Sequence, residues 1–181
     1  MKTNWQRFPR CHHRPGVNTT QLTALSEENA KADAKAFGAV MRHIRQVDSR
    51  QHTVVMMQVQ NEAGGMPVAR DYCPLAEKAF AKPVPADLMR YLAARKETLI
   101  PDLKAVWQRT NFRELGTWTE VFGDGPLADE VFQAWHVACY IGRVAAAGKA
   151  EYPLPMYANA WLVQHPGQEP GKYRAAVPSP G

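Results

Sequence analysis

The chain has 181 residues, of which 45% are hydrophobic and 22% are charged, and its 22 basic and 17 acidic side chains give a formal net charge of +5. This composition is that of an ordinary globular protein with a single core, and the longest apolar runs are too short to span a bilayer, so no membrane partner is expected. The first residues lack the apolar segment of a signal peptide, and the sequence as written predicts a cytoplasmic chain.

Cysteine and histidine spacing gives no sign of a metal site. The three cysteines, Cys11, Cys73 and Cys139, are far apart and include no C-x-x-C pair, so we expect reduced, mostly buried thiols. The six histidines include no pair four residues apart and no H-E-x-x-H arrangement. Neither a metal nor a cofactor is therefore predicted.

The basic residues are concentrated at the amino terminus. Four of them and no acidic residue precede Glu27, which is the pattern of an arm that binds polyanions. A basic helical stripe with interleaved aromatic residues, the usual mark of a nucleic-acid site, is missing. No nucleic-acid partner is therefore expected.

The first third of the chain predicts an irregular segment, a helix and a strand. Residues 1–25 contain prolines and a polar tract without periodicity. Ser26 is a suitable helix N-cap, and apolar residues recur at helical spacing as far as Gln46. The apolar run that begins at Thr53 predicts a buried strand, because continuous apolar strands are typical of parallel sheets covered on both faces.

The rest of the chain predicts a long insertion, a helix and a second strand. After the glycine pair at 64–65, prolines interrupt the sequence repeatedly, and the connection is too long for a simple strand-to-helix link. We predict one helix over Asp87 to about Leu99 and a second helix that begins at Pro101. A loop over Thr117 to Gly125 follows, and then a helix over Leu127 to about Gly148 and a strand over 154–162. From His165 onward we expect no regular structure.

The most informative feature is the way in which the first strand ends. Its apolar residues give way to the string Gln58-Val59-Gln60-Asn61-Glu62, followed by a glycine pair. In barrels of alternating strands and helices, the chemistry lies at the carboxyl ends of the strands. Glu62 is therefore the candidate catalytic carboxylate, although a loop or helix-capping carboxylate is the alternative.

This string resembles the acid/base motif of retaining β-glycosidases, and most closely that of the β-galactosidases of glycoside hydrolase families 35 and 42. The family form is Gln-(Val/Ile)-Glu-Asn-Glu followed shortly by Gly, and Gln60 stands where the family has its first Glu. The flanking sequences that also resemble the family are Trp5–Arg10, the helix around Met41–Arg45, and Met156–Leu162.

The resemblance implies an α/β fold, specifically a partial (β/α)8 TIM barrel. It covers residues 1–172, which would form part of a catalytic barrel around strands three to five, and it leaves 173–181 as a divergent, disordered tail. A complete barrel of this kind needs about 250 residues, so the chain would be a fragment. Exposed sheet edges would then allow association with another chain.

The resemblance also implies roles for individual residues. Retaining hydrolysis uses two carboxyl groups, one that protonates the leaving oxygen and one that attacks the anomeric carbon. Glu62 would be the acid/base, Asn61 would hold the sugar 2-hydroxyl, and Gln60, Asn159 and Trp161 would contact the β-galactoside substrate. A general acid is normally buried among apolar neighbours, and we expect this of Glu62.

The family nucleophile, a glutamate on a later strand, has no counterpart in this chain, so the chain alone is expected to be inactive. The alternative is a catalytically inactive carbohydrate-binding or interaction module. Among the tryptophans, Trp118 and Trp161 are candidates for stacking on a sugar ring, whereas Trp107 and Trp135 lie on helical apolar stripes and are expected in the core.

Overall fold

The structure is a computed structural model that describes residues 3–63 and 69–160. The elements in these ranges are β1 (Arg10–Arg14), β2 (Val17–Leu22), α1 (Glu27–Asp48), β3 (Met57–Ala63), α2 (Pro74–Phe80), α3 (Ala86–Ala94), α4 (Pro101–Gln108), α5 (Trp118–Phe122), α6 (Pro126–Glu151) and β4 (Met156–Ala160). None of these helices is both long enough and apolar enough to cross a bilayer. The tail over 173–181 lies outside the described residues.

The amino-terminal segment is a β-hairpin, so the prediction of an irregular segment is wrong. β1 pairs with β2 in antiparallel orientation, and Gly16 makes the turn with a φ of +79°. Sequence periodicity misses the hairpin because its strands are mainly polar. The hairpin is joined to α1 by the buried side chain of Asn29, whose amide donates to the carbonyl oxygens of Pro9 and Thr23, each at 3.0 Å.

Two helix–strand units lie side by side. Contacts between α1 and α6 advance together along both helices, from Glu27 with Arg143 to Arg42 with Glu151, so the two helices run parallel. The strands that follow them, β3 and β4, also pair in parallel. Both predicted helices are present, although Val40 and Val47 of the predicted apolar face of α1 are exposed. Ser26 is the N-cap of α1, and its hydroxyl accepts a hydrogen bond from the backbone N–H of Asn29 at 3.3 Å.

The predicted partial (β/α)8 TIM barrel is wrong. Over residues 3–63 and 69–160 the structure contains two separate sheets of two strands each, one antiparallel and one parallel. A barrel requires every strand to pair on both sides until the sheet closes, whereas β3 and β4 in these ranges pair with each other alone. Many α/β domains share the alternating order of helices and strands, so this order does not by itself show that the sheet closes into a barrel.

The strand that carries the candidate carboxylate is also less buried than predicted. β3 begins at Met57, and the two apolar residues before it, Val55 and Met56, are 69% and 51% exposed. No residue of β3 is fully buried. The continuous apolar run therefore does not correspond to a strand covered on both faces.

The insertion between β3 and α6 forms a second core. Four short helices pack against the first half of α6, and the largest fully buried side chains there are Trp107, Trp118, Phe122 and Phe132. Trp118 is 1% exposed and packs edge-on against Phe132 at 5.1 Å, so its predicted role in stacking on a sugar is wrong. The region predicted as a loop contains α5, so that prediction is wrong. Thr117 and Glu120 form a capping box at the start of this helix.

The close packing of α1 and α6 predicts different effects on stability when each of two glycines of α6 is replaced by alanine. A Cβ at Gly148 would lie 2.3 Å from Cε1 of Phe37, whereas a Cβ at Gly142 would meet nothing within 4 Å. We expect Gly148→Ala to lower the free energy of unfolding by about 1–3 kcal/mol because the Phe37 ring must leave its position between the helices. Gly142→Ala, the control, should raise it by up to about 1 kcal/mol through helix propensity.

Urea denaturation of both variants measures the difference. Equal stability of the two variants would contradict the close packing of α1 on α6.

Candidate functional site

The carboxyl end of β3 is distorted by two register shifts. Gln58 is paired with Tyr157, Asn61 with Asn159, and Ala63 with Ala160, so β3 has two more residues than β4 over the same length. The second shift falls at Glu62, which has a φ of +46°. Bulges of this kind redirect side chains and are common next to active sites, and a left-handed backbone at a residue other than glycine is uncommon.

Three amide side chains form a network at this end of the sheet. The Oδ1 atom of Asn61 accepts hydrogen bonds from Nε2 of Gln58 at 2.9 Å and from Nδ2 of Asn159 at 3.1 Å. Because both bonds use its oxygen, Asn61 retains its two N–H groups as donors. The network therefore fixes the orientation of Asn61 and connects β3 with β4 through side chains.

Glu62 lines a cavity of about 270 Å³. The cavity lies between the hairpin, α1, α6 and the end of β3. Its lining residues are Cys11, Gln21, Leu22, Ala24, Asp33, Gln60, Asn61, Glu62, Ala63, Gln133, Val137, Tyr140 and Ile141. The cavity is thus rich in hydrogen-bonding groups and has an apolar wall.

The expected burial of Glu62 among apolar neighbours is wrong, since the residue is exposed. Apolar side chains of α6 lie in the same cavity but do not enclose the carboxylate. Glu62 is instead distinguished by its backbone, which is strained at the last bulge of β3.

A second carboxylate lines the same cavity. Asp33 extends from α1, and its Oδ2 atom accepts a hydrogen bond from the hydroxyl of Tyr140 on α6. Burial, together with this hydrogen bond to Asp33, raises the pKa of Tyr140 above its ordinary value. Sequence reasoning missed this pair because the two residues are 107 positions apart.

A buried carboxylate, Asp71, connects the segments behind the cavity. No sequence pattern marks Asp71 as important. Its Oδ1 atom accepts from the backbone N–H groups of His12 at 2.9 Å and of Cys73 at 2.8 Å, and its own N–H donates to Gln133 at 2.9 Å. Burial and the nearby Asp71 charge raise the pKa of Cys11, which makes this cavity-lining thiol a poor nucleophile. Asp71 therefore has a structural role that joins the hairpin to α6.

The preceding residue, Arg70, anchors the segment that follows the site. Its guanidinium donates to Asp129 and to Glu77, both at 2.8 Å, and its carbon Cζ lies 4.1 Å from the ring centroid of Tyr72 and 4.2 Å from that of Phe80. The Arg70 side chain is 8% exposed. A buried guanidinium is tolerated here because two carboxylates and two aromatic faces surround it.

The predicted site residues fall into three groups. Gln60, Asn61 and Glu62 line the cavity together. Asn159 reaches the site through its hydrogen bond to Asn61. Trp161 lies outside the described residues. Polar lining residues that sequence reasoning missed include Asp33 from α1 and Gln133 and Tyr140 from α6.

Comparison of the sequence with family models and with curated proteins identifies no relative. No family model matches the chain, and a search of curated proteins also gives no match. The assignment to a family therefore remains a prediction from the motif. Within residues 3–63 and 69–160, no group of three His, Cys, Asp or Glu side chains is arranged to hold a metal ion.

The anchoring role of Arg70 is tested by Arg70→Lys. We expect the free energy of unfolding to fall by about 2 kcal/mol or more, because lysine keeps the charge but loses the planar group that binds two carboxylates. Arg90→Lys is the control, since Arg90 pairs with Asp87 on the surface and both side chains are 74% exposed. It should change stability by less than about 0.5 kcal/mol. Thermal unfolding of both proteins distinguishes the two cases, and equal losses would contradict the anchoring role.

Proposed function

We propose that the cavity takes the terminal sugar of a β-galactoside and that Glu62 is the acid/base residue of a retaining glycosidase-type site. The observation that carries the proposal is the strained bulge at the carboxyl end of β3, which presents Glu62 beside the oriented amide of Asn61. The resemblance of residues 58–62 to the acid/base motif of glycoside hydrolase families 35 and 42 supports the same role.

The chemistry of such a site matches the groups that are present. Glu62 lines the cavity and is exposed, so a ligand in the cavity can contact its carboxyl group. Nδ2 of Asn61, for which no hydrogen bond is found among residues 3–63 and 69–160, is suited to donate to a hydroxyl next to the anomeric carbon, an interaction that strengthens in the transition state.

We expect this chain to bind β-galactosides without turning them over. Retention requires a nucleophilic carboxylate about 5–5.5 Å from the acid/base residue, and the family nucleophile has no counterpart in the sequence. Binding is therefore the appropriate measurement, because it depends on the cavity and Glu62 but not on a complete catalytic pair.

The proposal predicts a specific effect of Glu62→Gln. A galactose-configured iminosugar carries a positive charge where charge develops in the transition state, and the carboxylate of Glu62 should stabilise it. We expect Glu62→Gln to weaken iminosugar binding by about tenfold or more, whereas the affinity for neutral methyl β-galactoside changes by less than about threefold. Isothermal titration calorimetry measures both affinities.

Glu114→Gln provides the control, since Glu114 is also exposed but does not line the cavity. It should leave both affinities unchanged. If the wild-type protein binds neither ligand, or if the two variants behave alike, the proposed function is wrong.

A second candidate, an interaction module, is favoured by the exposed surface around the parallel sheet. Parallel sheets are almost always covered on both faces, yet Tyr157 of β4 is 47% exposed and Val55, just before β3, is 69% exposed. Strand edges that lack a neighbour are templates for pairing with another chain. In this alternative, a second copy of the chain covers the sheet formed by β3 and β4.

Self-association through this sheet is tested by Val55→Lys. We expect the wild-type mass to rise with concentration in light scattering after gel filtration, and the lysine variant to remain monomeric because a charge disfavours edge pairing. Leu115→Lys is the control, since Leu115 is 82% exposed but lies between α4 and α5. A wild-type protein that stays monomeric at all concentrations excludes this alternative.

A further inference from the structure

We propose that Asp33, positioned by Tyr140, is the residue that selects the sugar by accepting hydrogen bonds from its hydroxyl groups. This inference rests on the proposed function, because it assigns a sugar-recognition role to the cavity that Glu62 borders. Nothing in the motif around Glu62 points to α1, and the assignment comes from the three-dimensional arrangement alone.

Asp33 is placed as a recognition group and not as a surface charge. It is partly buried, lines the cavity, and extends from the helix that packs along α6. Its Oδ2 atom accepts from the hydroxyl of Tyr140, and no hydrogen bond to its Oδ1 atom is found among residues 3–63 and 69–160. One carboxylate oxygen is thus fixed by the protein, and the other has acceptor capacity for a ligand.

The residue that holds Asp33 is buried in the core. Tyr140 is 8% exposed and belongs to a small core cluster with Ala30 and Val144. A donor fixed in this way holds the carboxylate in a single orientation before the ligand arrives, which lowers the entropy cost of binding.

The remaining walls of the cavity complement a pyranose ring. Leu22, Val137 and Ile141 supply an apolar surface for C–H groups, and Gln60 and Gln133 supply amides for hydroxyl groups. The volume of about 270 Å³ lies at the small end of ligand cavities and suits one sugar ring in preference to an oligosaccharide. The ligand class is therefore a single terminal hexose with free hydroxyl groups.

The test compares Asp33→Asn with the wild-type protein by calorimetric titration of methyl β-galactoside. Loss of a charged acceptor should weaken binding about ten- to a hundredfold. Tyr140→Phe, which retains the ring but removes the donor, should weaken it by a smaller factor. Asp124→Asn makes the same chemical change at an exposed residue that does not line the cavity, and it should have no effect.

A series of methyl β-galactosides, each lacking one of the 3-, 4- and 6-hydroxyl groups, adds a measurement on the wild-type protein itself. We expect one of these ligands to bind the wild-type protein as weakly as Asp33→Asn binds the parent sugar, and to lose no further affinity in the variant. That result identifies the hydroxyl that Asp33 holds and supports the inference.

Two other outcomes overturn the inference, and they distinguish failure of the role of Asp33 from failure of the proposed function. If methyl β-galactoside and the iminosugar bind and respond to Glu62→Gln, but all three deoxy ligands bind the wild-type protein as tightly as the parent, the proposed function stands and the role of Asp33 is wrong. If none of the sugars binds the wild-type protein, both proposals fall together.

Discussion

The packing of α1 against α6 is the interaction on which the rest of the structure depends. The two helices run parallel and are tied by the ion pairs of Glu27 with Arg143 and of Arg42 with Glu151, one near each end of the contact. Because each helix leads into a strand, this packing brings β3 and β4 together in parallel. It also places Asp33 and Tyr140 opposite the end of β3, so the cavity exists only while the helices are in register.

The second constraint is the segment around Arg70 and Asp71, which joins parts of the chain that are far apart in sequence. Asp71 satisfies backbone donors of the hairpin and of the start of α2, and Arg70 reaches Asp129 on α6. Buried charges of this kind contribute little net stability, but their removal leaves unpaired groups and is costly. Their effect is to specify one arrangement of the hairpin, the insertion and α6 around the site.

Local features of this fold were predictable from the sequence, whereas its long-range features were not. The cap at Ser26, the proline that begins α4 and the presence of the long helix α6 depend on signals within a few residues, and each is confirmed. The buried face of α6 beyond Ala134 includes Val137, Tyr140 and Val144, which are not the residues predicted for it. The hairpin was missed because polar strands depend on partners such as Asp71, 59 positions away from His12. The predicted barrel is wrong because closure of a sheet into a barrel depends on pairing between strands that are distant in sequence, which no local pattern encodes. The clustering of Gln60, Asn61 and Glu62 followed from adjacency, but Asp33 entered the site through tertiary packing alone.

The strain at Glu62 gives a physical reason to look for function at this point of the chain. A left-handed backbone costs a residue with a side chain roughly 1 kcal/mol or more, and here it coincides with a register shift and an exposed carboxylate. Stability alone would favour glycine at such a position, or a regular strand without the bulge. The surrounding amide network and the fixed Asp33 offset part of the cost by holding the neighbouring groups in place. A strained residue beside side chains that are oriented by hydrogen bonds, as Asn61 and Asp33 are, has the organisation that binding of a defined ligand requires.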